Sequence, residues 1–73
     1  MRYLSEIAYE IRRVRTESGL TQDALARRCG ITPTYLSKLE HGHKWPSIEL
    51  LVRIAFRTER RIYLTLPPVR HHA

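Results

Sequence analysis

Thr34, Ser37, Lys38 and His41 recur at spacings of three and four, so on a helix they stand on one side of it, opposite the apolar pair Leu36 and Leu39. Two hydroxyls, an ammonium and an imidazole make a hydrogen-bonding face suited to the edges of stacked bases. The Lys38 ammonium can donate to guanine O6 and N7, Thr34 can turn its methyl to thymine or its hydroxyl to a base or phosphate, and Ser37 is more permissive. Nowhere in the 73 residues can a Ser/His/Asp set, a carboxylate pair or a metal constellation be assembled that surface or tail does not explain better. The expectation is a binding protein, not an enzyme, with no cofactor.

The element that must present this face is a short helix from Pro33 to about Glu40 or His41. Thr32 can cap it, and Pro33 in the first helical position gives up only a donor that would be unpaired anyway. Before it, Gln22 to Cys29 reads as a second short helix, with Leu25, Ala26 and Cys29 on its apolar side and Thr21 as its N-cap. Gly30 ends that helix where a positive φ is usually needed. Two helices joined by a turn of about three residues share one seam, and Ala26 is small enough to let the backbones cross closely.

Around this pair the chain supplies two longer helices. Residues 3 to 18 place Leu4, Ile7, Ala8, Ile11 and Val14 on one face, with Glu6, Glu10, Arg13 and Glu17 expected as a solvated charged face. Gly19 stops this helix. Ser47 opens the last one, which carries Ile48, Leu51, Val52, Ile54 and Ala55 and ends near Arg57 or Thr58. Beyond it, Arg61 to Leu66 alternates with period two and stops at Pro67-Pro68, which predicts a short β-strand, with a fifth helix as the alternative. The fold class is thus mainly α: a bundle of four helices with a short C-terminal strand. Residues 1–58 form the binding domain, 59–68 a dimerisation strand and 69–73 a tail.

Thirteen Lys and Arg against seven Asp and Glu give a net charge of +6 and suit a polyanionic partner, double-stranded DNA in the first place. Cys29 is alone, reads as a small core residue, and makes a cytoplasmic location the natural one. No apolar run approaches the roughly 20 residues of a membrane span. His41, His43, His71 and His72 lack a Cys or carboxylate at ligand-like spacing, so no metal is expected. Trp45 is expected to cover the edge of the core, with DNA contact as the alternative. No pocket for a small-molecule ligand is evident.

Taken with its flanks, the stretch Ile11 to Arg15, Gly19-Leu20-Thr21-Gln22, Leu25-Ala26, Gly30-Ile31-Thr32, Tyr35 to Glu40, Gly42 and Pro46-Ser47 resembles the lambda-repressor-like, Xre-type helix-turn-helix regulators. The resemblance spans about residues 7 to 56. It implies that Gln22 touches the DNA backbone and that Pro33, Thr34, Ser37 and Lys38 face the major groove. Phosphate contacts are expected from Gln22, Thr32, Tyr35, His43, Lys44 and the helix N-termini, a solvated side chain being the alternative for each. Pro33 departs from the long polar residue often found there in phage repressors. The resemblance also implies a partly buried salt bridge between Arg15 and Glu40.

One such helix reads only a few base pairs, which points to a homodimer on a pseudo-palindromic site. An isolated strand leaves backbone groups unpaired, so residues 61–66 are expected to pair with their copy in a second chain. Either Ile62 and Leu64 or Tyr63 and Leu66 would then face the core. A dimerising strand at this place is similar to that of HipB-type antitoxins, which implies autorepression of an operon with a toxin protein as second partner. A protein-interaction module that kept the fold without reading DNA is the rival function.

Overall fold

A helix start leaves backbone N–H groups without partners, and in this chain side chains one residue ahead of three helices supply them. The computed structural model describes residues 2–65 and contains α1 (Arg2–Glu17), α2 (Gln22–Cys29), α3 (Pro33–Glu40) and α4 (Ile48–Thr58). Thr21, Thr32 and Ser47 lie in extended backbone and accept from the N–H groups of Ala24, Tyr35 and Leu50 at 3.1, 3.1 and 3.0 Å. The three caps are the ones the sequence predicts, and Pro33 opens α3 as expected.

The turn between α2 and α3 closes on Gly30, whose φ of 71° lies in the left-handed region. From there the Ile31 N–H reaches back to the Ala26 carbonyl at 3.0 Å, which satisfies a carbonyl the helix end would leave open. α4 closes in the same way on a different residue type. Glu59, a non-glycine residue, takes φ 55°, and the Arg60 N–H returns to the Ala55 carbonyl at 3.2 Å.

The apolar faces meet in one core. Ile7, Ile11 and Val14 of α1, Leu25, Ala26 and Cys29 of α2, Leu36 and Leu39 of α3, and Leu50, Leu51 and Ile54 of α4 are buried together. α2 packs on α3 and α4, and α1 packs on α3 and α4, so α2 and α3 are held from two sides. No helix among the described residues is long and apolar enough to cross a membrane.

The expected strand is not seen. Residues 61–65 carry neither strand nor helix, and Leu66, with the tail, lies outside the described residues. Instead of waiting for a ladder partner, this backbone is held by α1. The Tyr63 N–H donates to Glu10 Oε1 at 2.6 Å, and Arg13 Nη2 donates to the Arg61 carbonyl at 2.8 Å. The period-two alternation has a different cause from a sheet: Ile62 and Leu64 pack on the core while Tyr63 points out, its ring 5.6 Å under the Arg13 guanidinium.

Two further expectations change with it. Glu10 is not on a solvated face but buried, because the returning segment covers it; Arg13 bonds both its oxygens, at 2.8 and 2.9 Å. Trp45 does not cover the core's edge: it is 52% exposed and stands outside the core cluster, in the loop that joins α3 to α4.

Candidate nucleic-acid interface

α3 is short enough that its two buried leucines fix its rotation. With Leu36 and Leu39 fully buried, Pro33, Thr34 and Lys38 are exposed and Ser37 is half-buried. The next residue on this side, His41, caps the helix end. Its Nδ1 donates to the Ser37 carbonyl at 2.7 Å, since a carbonyl can only accept; in a neutral ring Nε2 is then an acceptor. The Ser37 hydroxyl lies 3.4 Å from the same Nδ1, and the His43 ring is centred 6.0 Å from that of His41.

Gln22 opens α2, and its side chain is not free. Its Nε2 donates to Glu40 Oε1 at 3.1 Å; a carboxylate accepts only, so the amide must turn its nitrogen inward there. One Nε2 hydrogen and the amide oxygen remain for other partners. Glu40 is the junction of the site. It is 2% exposed and takes a bidentate fork from Arg15, with Nε on Oε2 at 2.6 Å and Nη2 on Oε1 at 2.9 Å. Arg15 also donates Nη1 to the Leu20 carbonyl at 3.0 Å, tying down the turn that leads into α2. The expected Arg15–Glu40 salt bridge is thus present, and it does more than join α1 to α3.

Arg12 is the residue that sequence reasoning missed. Its exposed guanidinium donates Nη1 to the Glu40 carbonyl at 2.9 Å, a cation at the negative end of α3. The signal lay in its position three residues before Arg15, one turn along the α1 face that meets α3. Arg27 lines a shallow depression with Asp23, Ile31, Thr32 and Pro33 at the start of α3.

The remaining expected residues fall into place around this frame. Thr32 is exposed and uses its oxygen as the α3 cap, which leaves its hydroxyl hydrogen available. Tyr35 is half-buried and packs on the core. His43 and Lys44 are exposed in the loop after α3, where the His43 N–H bonds back to the Lys38 carbonyl at 2.9 Å. The cysteine is no part of the site: burial pushes the Cys29 thiol up, only partly opposed by the charges of Arg53 and Arg57. Among the described residues, no group of three or more His, Cys, Asp or Glu could hold a metal ion.

Comparison with known proteins adds four likenesses. The family model HTH_3, described as helix-turn-helix, matches residues 11–55. Over 43 residues, 59% of this chain, the sequence is 42% identical to the uncharacterized HTH-type transcriptional regulator y4dJ of Sinorhizobium fredii, and that match spans 56% of the relative's length. The fold superposes on the clp gene regulator ClgR of Corynebacterium glutamicum with TM-score 0.78 and 30% identity, covering 82% of this chain and 64% of that one. It also superposes on the restriction-modification controller protein C.Esp1396I, seen as a tetramer in complex with its natural 35-base-pair operator. There the TM-score is 0.75 and the identity 30%, covering 84% of this chain and 80% of that one.

Proposed function

The chain belongs to the HTH_3 helix-turn-helix family, and from that premise we propose that it is a sequence-specific regulator of transcription that binds double-stranded DNA as a homodimer and represses its own operon. The observation that carries this reading is the division of α3: Leu36, Leu39 and Glu40 are buried, while Thr34, Lys38 and His41 stand exposed on the polar side. A helix so divided fits a major groove, with Lys38 donating to guanine and Thr34 and Ser37 meeting neighbouring base edges.

Gln22, Thr32, Tyr35, His43 and Lys44 then address phosphates, and Pro33 borders the groove. Arg12 joins them from α1, since its remaining donors are unused among the described residues. Residues 1–58 read DNA in this proposal, and the chain beyond them serves self-association. That C.Esp1396I, of similar fold, is a tetramer on its operator supports a multimeric reader. An antitoxin role rests on the strand alone, which residues 61–65 do not form in a single chain. No other observation favours it.

The test is binding of the full chain to its own promoter region and to random duplex across a salt series. A specific reader binds the promoter at least about 10³-fold tighter, with a steep fall of log K with log salt. Equal affinity for the two duplexes at physiological salt would overturn the proposal and leave a module for protein contacts.

A further inference from the structure

α4 leaves part of its apolar surface without a partner. Ile48, Val52 and Phe56, spaced by four, are 73%, 63% and 74% exposed. Contiguous exposed apolar surface on a chain this small marks an interaction site more often than chance. Beside the stripe, Ala55, Ile62 and Leu64 line a shallow apolar depression together with Ile48 and Val52. Its floor is fixed, because Glu10 and Arg13 hold the 61–65 backbone against α1.

The charges next to the stripe indicate what covers it. Glu49, Arg53 and Arg57 follow one another at four-residue spacing along one flank of α4, acid first and bases after. Glu49 pairs with Arg53 at 3.0 Å, whereas among the described residues no carboxylate pairs with Arg57. A second α4 running parallel about a two-fold axis would put the charged flanks of the two copies on opposite sides of the seam, where they cannot pair. Running antiparallel about a two-fold axis at Val52, it brings the same flank of the two helices together, with Glu49 of each copy level with Arg53 and Arg57 of the other. The same operation lays Ile48 of each copy over the other's depression at Ala55, Ile62 and Leu64.

We infer that the exposed face of α4 is the self-association surface of this protein, an antiparallel α4 pair centred on Val52 and flanked by Glu49–Arg57 pairs between copies. The inference rests on the dimeric reading above and gives it a surface other than a strand ladder. α4 follows α3 after residues 41–47 only, so a fixed α4 pair also fixes the separation of the two reading helices.

Sedimentation equilibrium of the full chain and its variants tests this. The wild type is expected to be dimeric. V52D, at an exposed position that leaves the core intact, should raise the dimer dissociation constant at least about 100-fold with unchanged helicity. E49R alone and R57E alone should each weaken the dimer, and E49R/R57E together should restore it to within about threefold. A dimer untouched by V52D, or a failure of the double reversal to restore it, overturns the inference. So does a wild-type chain that stays monomeric, which would assign the stripe to a different protein.

The promoter assay separates this from the reading it rests on. Specific binding by a chain whose dimer ignores V52D rejects the interface and keeps the regulator. A V52D-sensitive dimer without sequence preference does the reverse.

Discussion

Gln22 hangs from Glu40: the amide expected to touch DNA donates one hydrogen at 3.1 Å to the same carboxylate oxygen that Arg15 Nη2 holds at 2.9 Å. The start of α2, the end of α3 and the last turn of α1 are therefore set by one buried anion. Stability and the proposed DNA contact meet in this carboxylate, and substitutions on its two sides should separate them.

Glu40→Gln should be costly. It removes the charge that compensates Arg15, whose side chain is mostly buried, and a buried cation without its partner costs about 3–5 kcal/mol. Urea unfolding should show that loss. Gln22→Ala, by contrast, removes one hydrogen bond and should cost only about 1 kcal/mol of stability, while weakening operator and random duplex by the same factor. A Gln22→Ala variant as unstable as Glu40→Gln would mean that Gln22 serves the fold alone.

Acid should loosen the segment that follows α4. The Arg13 guanidinium bonded to Glu10 holds its carboxyl below the ordinary 4.5, with the Tyr63 N–H and the Arg13 charge assisting, against burial, which raises it. A carboxyl lowered by folding stabilises the chain above its unfolded value and loses that contribution as pH falls through its folded value. Protection of the Tyr63 amide against hydrogen exchange, corrected for intrinsic rates, should therefore drop below about pH 4.5. Glu10→Gln should lower it already at neutral pH and flatten the acid dependence. Protection that is independent of pH in the wild type would detach Tyr63 from this carboxylate.

Local rules made the helices legible. Thr21, Thr32, Pro33 and Ser47 mark starts by chemistry that needs no neighbour, Gly30 marks a stop, and the apolar spacing picks out the buried side of each helix. What could not be read was whatever depends on residues distant in the chain meeting in space. The alternation of Ile62, Tyr63 and Leu64 is the same for a sheet and for an extended segment lying on helices; the partners that decide are Glu10 and Arg13, about fifty positions earlier. For the same reason the sequence leaves Glu10 on a solvated face and shows no partner for Arg12. Gln22 was placed as a DNA contact, but its tether to Glu40 came only with the fold.

Gly30→Ala isolates the backbone term in the turn. Nothing lies within 4 Å of where a Cβ would stand, so the substitution meets no clash and its cost is that of holding an L-residue at φ 71°. That amounts to about 1–2 kcal/mol, and Gly30→Asn should cost less. Thermal or urea unfolding of the two variants gives the comparison. A loss well above this from Gly30→Ala would point to contacts at the turn beyond the chain itself.

Cys29 should report global opening. It is buried, its thiol is pushed up, and the Arg53 Nη1 donates to its backbone carbonyl at 2.9 Å, pinning that end of α2 to α4. Labelling by an aromatic disulfide should be negligible in the folded chain and should rise with urea in step with loss of helicity. Labelling that runs ahead of unfolding would reveal separate opening of α2.

Lys38 carries the sharpest claim about reading. It is exposed on α3 between Ser37 and the buried Leu39, and its four-carbon stem reaches outward from the middle of the polar face. If its ammonium donates to guanine O6 and N7, Lys38→Ala should cost about 1–3 kcal/mol on the operator and lose preference at one base position in each half-site. Random duplex should change much less, since only one phosphate-range charge is removed. Lys38→Arg should keep the preference for guanine, because a guanidinium can make the same two bonds. Competition binding against operators substituted one position at a time resolves these outcomes. A uniform loss on every duplex, matching that of Gln22→Ala, would move Lys38 to the backbone and leave Thr34 and Ser37 as the side chains that face the bases.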